Sequence, residues 1–219
     1  IQLALSVALA KLNARIASVD ASFDHYLTNL KPGSFRRLHR FALQEGLISF
    51  VWQAWCHFCR STIIGSARGE PTVTGGVSGS PYSGHSEAEI AFLAKHFSTG
   101  ATKAPPSVQP IKGSYLEPTW GDLGKLNKIV TGLSCGNSSQ LLAGFGGTIA
   151  LADLQLCRNA SAHINSDTAK ALSAVRVRYN QTDLLHPSDA MFWIDPVPND
   201  YLWKSWIDDI RLAASVAAR

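Results

Sequence analysis

Apolar residues open the chain at spacings of three and four: Leu5, Leu9, Leu12, Ile16, Val19, Phe23, Leu27 and Leu30. That spacing matches 3.6 residues per turn and predicts one amphipathic helix of about eight turns. A helix this long must bury its stripe against another element, and the next segment supplies one. Pro32 and Gly33 stop the first helix, and Ser34 can cap a second, predicted from Phe35 to Ile64. Its first stripe reads Leu38, Phe41, Glu45, Ile48, Trp52, Trp55, Cys59 and Ile63. A second stripe of Leu47, Val51, Ala54 and Phe58 makes its latter half apolar almost all round. So short a connection predicts an antiparallel helical hairpin.

Composition shifts at residues 65–86, "GSARGEPTVTGGVSGSPYSGHS", where Gly, Ser, Thr and Pro dominate. Ser86 with Glu89 forms a capping-box pattern that opens a helix to about Phe97. A second loop follows, so residues 65–118 read as an insertion between two helical hairpins. Helical patterns resume in "WGDLGKLNKIVTGL", "SSQLLAGFGGTIALADLQLCRNASAHIN" and "SDTAKALSAVRVRYN". "MFWIDPVP" suits a short strand, and a last helix is expected from Asp200 to about Ala218. The expectation is all-α: one domain over residues 1–219, with residues 187–219 as a C-terminal extension.

The balance of 20 Lys+Arg against 16 Asp+Glu is only mildly basic; it permits a polyanionic partner without requiring one. Four cysteines (Cys56, Cys59, Cys135 and Cys157) are too few and too unevenly spaced for a disulfide scaffold. The C-x-x-C at Cys56 and Cys59 lies inside a helical pattern with no second ligand pair, which favours buried, reduced thiols over a zinc site. "IQLALSVALA" has the composition of a signal core, but it lacks a basic flank and its period runs on past it. No run reaches the roughly 20 apolar residues that span a bilayer. The expectation is a cytoplasmic protein with no membrane contact, no metal and no cofactor. "LLAGFGG" lacks both the G-x-G-x-x-G spacing and a preceding strand, so its glycines are read as helix packing or a kink.

One stretch interrupts the apolar pattern with reactive groups: "RNASAH", Arg158 to His163. Two readings fit it. Arg158 could neutralise the end of a helix, where a cation is favoured, with His163 a polar residue of the last turn. Alternatively, the chain places a permanent cation and a proton carrier together for chemistry.

The motif, its place late in a helical hairpin and the order of helices resemble the HEPN superfamily. These small α-helical domains carry R-x(4–6)-H near the end of their third long helix. The resemblance covers residues 1–64 and 119–180. It implies a metal-independent endoribonuclease that works as a homodimer, with Arg and His of both subunits lining one cleft. Carried onto this chain, His163 is the general base or acid, Arg158 the electrostatic stabiliser, and Asn159 orients them or contacts phosphate. The residue types suit the reaction. Imidazole exchanges protons near neutrality, while guanidinium is always charged and binds phosphate in bidentate fashion. A nucleophilic 2′-OH would select RNA over DNA.

The family also implies a toxin or anti-phage setting, and with it a neutralising antitoxin or defence partner. In members paired with a nucleotidyltransferase antitoxin, a tyrosine stands two residues beyond the histidine as the modification target. Asn165 occupies that position here, so that mode of control is not expected. Some HEPN domains are non-catalytic, so a module binding RNA, a nucleotide or a protein is the alternative. Glu45 interrupts its apolar stripe and needs a partner. Arg158 would help set the cleft, while Arg40 or a wet edge would make Glu45 ordinary. Arg36, Arg37 and Arg40 could guide RNA phosphates, or form a solvated helix end.

Overall fold

The computed structural model describes residues 4–29, 36–146, 149–163 and 165–219. The fold is all-α, with one two-stranded ribbon as the only sheet among them. In chain order the helices are α1 (Ala4–Asn29), α2 (Arg37–Ala67), α3 (Glu87–Ser98), α4 (Leu123–Leu133), α5 (Ser138–Phe145), α6 (Ile149–Ala162), α7 (Ser166–Ala174) and α8 (Leu202–Ala217). Short 3₁₀ turns occupy Ser114–Leu116, Val175–Arg178 and Pro187–Phe192. Strands β1 (Ile194–Asp195) and β2 (Asp200–Tyr201) pair antiparallel, so "MFWIDPVP" does carry a strand. The predicted stop at Pro32–Ser34 lies outside the described residues.

The chain divides into two compact units, each assembled from separate segments. One comprises Ile1–Asn13, Trp55–Gly147 and Leu212–Arg219; the other comprises Ala14–Ala54 and Thr148–Arg211. In the first, Trp55 stacks on Phe58 and meets Phe145 edge-on at 5.7 Å. The helix opened by Ser86 forms as the pattern predicts, with both bonds of the capping box in place. It is core structure, burying Ile90, Leu93, Ala94 and Phe97 against α4. Residues 65–118 are thus integral to this unit's packing. Glu117 ties their far end down: Arg60 donates to its two oxygens at 2.8 and 2.9 Å, and Trp120 Nε1 donates at 2.6 Å. Burial raises an acid's pKa, but these three donors outweigh it and hold the Glu117 carboxyl below its usual range. Of the glycines of "LLAGFGG", Gly144 serves packing, and Gly147 lies outside the described residues. A Cβ at Gly144 would lie 2.6 Å from the Ala213 carbonyl oxygen.

The second unit is built on aromatic rings. Phe23 stacks on Trp203 at 4.8 Å and on Phe192 at 6.0 Å. Trp203 Nε1 donates to Asp20 at 2.9 Å, and Lys204 bridges Asp20 and Asp24 at 2.7 Å each. α6 packs on α7 and on the Pro187–Phe192 turn, and residues 187–211 belong to this unit.

Burial distinguishes the two halves of α2. Its latter half is covered within the chain, apart from a polar line of Gln53, His57 and Ser61. The apolar surface left uncovered lies on the first half instead, at Leu38 (75% exposed), Leu43 and Phe50 (67%).

Candidate functional site

α6 turns one face inward through Ala150, Leu151, Leu154, Cys157 and Ala160. Asp153 lies on the same buried face and draws its partners from the segment after α7. Arg178 donates to Oδ1 at 2.5 Å, and Tyr179 Oη donates to Oδ2. Burial pushes the Asp153 carboxyl upward against these bonds. This cluster fixes α6 on its neighbour and leaves the end of the helix to carry the motif.

Arg158 and Asn159 are half-buried in the last turn and a half of α6. Arg158 Nη1 donates to Asn159 Oδ1 at 3.2 Å. Among the described residues no carboxylate lies within ion-pair distance of this guanidinium, so its charge is uncompensated. His163 follows the last helical residue. Its N–H donates to the Asn159 carbonyl at 2.9 Å, and its carbonyl accepts from Thr168 Oγ1 at 2.7 Å. The backbone is pinned from both sides while the ring is exposed. No described residue makes a hydrogen bond or ion pair with that ring.

Geometry explains why the motif's two ends do not meet. Five residues at 100° each place positions 158 and 163 about 140° apart around a helix, and the chain leaves the helix before His163. Arg158 and His163 are not joined by any hydrogen bond or ion pair. Asn165 caps the next helix, accepting from the N–H groups of Asp167 and Thr168 at 3.0 Å each. That is a structural task for the position where some HEPN toxins carry tyrosine.

Glu45 pairs with neither Arg158 nor Arg40. Its Oε1 lies 3.2 Å from Nε2 of His186, and its carboxylate is 41% exposed. His186 stacks on Phe41 at 4.3 Å. Arg40 stands over the Phe41 ring at 5.1 Å, with its Nε shielded from water and lacking an acceptor. Arg36 and Arg37 are exposed. Three arginines in and beside the first turn of α2 oppose the positive end of its dipole, which costs about 0.3–1 kcal/mol for each charge near the terminus. An anion there would offset that cost.

His186 was not singled out by sequence, although its signal was present. "HPSD" has the form of a capping box with Pro at the first helical position. His186 is the N-cap of the 3₁₀ turn, and Asp189 accepts from its N–H at 2.8 Å. Asp153 was readable too, as a carboxylate inside the apolar run "LADLQL" that had to find partners.

None of the four cysteines forms a disulfide. Burial pushes the Cys135 thiol up to about 11 and also raises those of Cys59 and Cys157. No group of three His, Cys, Asp or Glu side chains able to hold a metal occurs among the described residues. In the other unit, a cleft of about 190 Å³ is lined by Lys11, Arg60, Glu70 and Glu87 among others. Its charges largely cancel, because Arg60 and Arg68 are both paired with glutamates there. No single helix among the described residues is long and apolar enough to cross a membrane. No family model, curated protein or solved structure matches this chain.

Proposed function

We propose that the chain is a HEPN-like, metal-independent endoribonuclease acting as a homodimer in the cytoplasm, in a toxin or anti-phage setting. The observation that carries the reading is the end of α6: an exposed imidazole without a partner at His163, and a guanidinium without a counter-ion at Arg158 in the turn before it. In the reaction, His163 takes the proton of a ribose 2′-OH as that oxygen attacks phosphorus. The P–O5′ bond breaks, the leaving oxygen takes a proton, and a 2′,3′-cyclic phosphate remains. Arg158 neutralises the charge that builds on the phosphorane oxygens, and the bond it donates to Asn159 Oδ1 holds the guanidinium in place. Arg36, Arg37 and Arg40 give the RNA backbone an electrostatic track.

Two chains explain a feature that one chain leaves open. Arg158 and His163 of a single protomer do not meet, whereas a two-fold arrangement of α6 ends would set the arginine of one beside the histidine of the other. The exposed Leu38, Leu43 and Phe50 supply apolar surface for such a contact. The same separation favours a second reading, a non-catalytic module that holds RNA, a nucleotide or a protein at this corner. Incubating the purified chain with total RNA in excess EDTA separates the two. The enzyme yields 2′,3′-cyclic ends, and a 2′-deoxy residue at the cut site resists. Absence of cleavage with retained RNA binding supports the module, and products with 3′-hydroxyl ends reject both the mechanism and its residues.

A further inference from the structure

Asp153 and His163 are too far apart along the chain to touch. From Asp153 to Ala162, where α6 ends, is about 14 Å of helix at 1.5 Å per residue. A physical route nevertheless joins them, and it runs through α7. The chain leaves α6 at His163, passes through α7 and the Val175–Arg178 turn, and returns to α6 at Asp153. α7 has little of its own to keep it in place. It is nine residues long, and a helix shorter than about 12–15 residues is marginal in water by itself. It buries Leu172, and its other residues are exposed apart from the half-buried Thr168.

Both ends of α7 are tied instead. In its first turn, Thr168 Oγ1 lies 2.7 Å from the His163 carbonyl, closer than the 3.2 Å to the Asn165 carbonyl, so its one proton goes to His163. Beyond its last residue, Arg178 donates to Asp153 Oδ1 at 2.5 Å and Tyr179 Oη donates to Oδ2. This second tie is the more costly to break. Asp153 is only 2% exposed, so its carboxylate has no water to fall back on and depends on both donors. The donors are anchored in turn. Tyr179 lies 5.8 Å from the Trp193 ring, and Asn180 exchanges backbone hydrogen bonds with Ile194 of β1 at 2.8 and 2.9 Å. Asp195 on the same strand accepts from Ser205 Oγ at 2.7 Å and from the Val197 N–H at 3.0 Å, while Arg178 pairs with Asp153.

We propose that Asp153 is a positioning residue for His163: it clasps Arg178 and Tyr179, closes the base of the α6–α7 hairpin, and so keeps Thr168 on the His163 carbonyl at the tip. The proposal rests on His163 being the proton carrier of RNA cleavage. With the clasp closed, the imidazole is presented from a backbone fixed on two sides. With it open, Leu172 alone holds α7 by burial, and His163 is left on the fraying end of α6. Phosphate contacts from Arg158 and the arginines of α2 do not pass through this loop, so the clasp acts on the chemical step and not on RNA binding.

Amide hydrogen exchange and RNA cleavage, both measured on the whole chain, test the proposal. Asp153→Asn should speed exchange in residues 166–174 and leave α8 protected. It should lower cleavage at saturating RNA by about 10²-fold, the scale of a misplaced reacting group, with KM unchanged. Arg178→Ala, at a side chain 40% exposed, should act in the same direction, and Arg178→Lys should restore part of the rate. Thr168→Val removes the tip bond alone, so adding Asp153→Asn to it should cost much less than Asp153→Asn costs the parent. Full additivity overturns the path through α7. Exchange that rises equally in α6, α7 and α8 makes Asp153 a general stability residue and also overturns it. If Asp153→Asn does not fold, the Arg178 variants decide: exchange in residues 166–174 that is the same in wild type, Arg178→Ala and Arg178→Lys refutes the clasp. A wild-type chain that cleaves no RNA refutes the enzyme reading, and with it any role of Asp153 in cleavage, whereas a cleaving chain with unaltered α7 exchange in the variants refutes the clasp alone.

Discussion

His163 and His186 belong to the same compact unit, yet one ring stands in solvent without a partner while the other has both nitrogens engaged and a side chain only 13% exposed. The contrast separates two uses of one residue type. A group that must meet a substrate keeps its nitrogens free and has its backbone fixed instead, as the Asn159 and Thr168 bonds do for His163. A group whose nitrogens are already spoken for serves the fold and has nothing left to offer a reacting atom.

Substituting the two histidines is the most direct way to break this contrast. His163→Ala should lower RNA cleavage by about 10²–10⁴-fold and leave the thermal midpoint unchanged. His186→Ala should do the reverse, costing stability first. If His163→Ala unfolds the chain, or folds and cleaves normally, the assignment fails. Arg158→Ala should cost about 10²–10³-fold in cleavage, the usual loss for one group that stabilises developing charge. Re-annealed mixtures of Arg158→Ala and His163→Ala chains should recover part of the activity that neither parent shows. Equal inactivity in the mixture would leave each chain working alone.

The held side of the contrast is tested at Gln44, a buried amide bonded at both ends. Gln44→Ala should cost about 1–3 kcal/mol in chemical denaturation, because Ser188 and Tyr26 each lose a partner. In the other unit Glu117 gives a pH-dependent counterpart. Its carboxyl is held below the usual range, so its stabilisation is present above an ordinary carboxylate pKa of about 4.3 and is lost as pH falls through the folded value. Glu117→Gln should therefore be less stable than wild type at pH 7, with the gap closing in acid; a gap that widens in acid would refute the pairing. The smallest effect belongs to Arg37→Ala, which should reduce the salt dependence of RNA binding by about 0.7 in log–log slope if it touches one phosphate of a single strand.

Local signals carried far in this chain. The period from Leu5, the Ser86–Glu89 box and Gly144 each carried a readable signal, because helix repeat, capping and close approach are written in neighbouring residues. Partnership across the chain was not legible. Glu45 was visibly in need of a counterpart, yet its counterpart lies 141 residues away at His186. No spacing rule connects positions that only folding brings together. The motif at 158–163 was legible as a string, but the helix ending at Ala162 decides how far apart its ends lie.

Asn137 carries a last consequence. It heads an N-x-S sequon, yet its side chain is buried between Ser66 and Ser78, donating from Nδ2 to one and accepting at Oδ1 from the other, each at 3.0 Å. A sugar on Nδ2 would need a route to water that the folded chain does not provide. Produced through a glycosylating secretory route, the chain could be modified there only before it folds, and the attached glycan would then keep that corner from closing. A host without N-glycosylation, or an Asn137-Ser138-Ser139 sequon silenced at Ser139, which is not buried, avoids the trap.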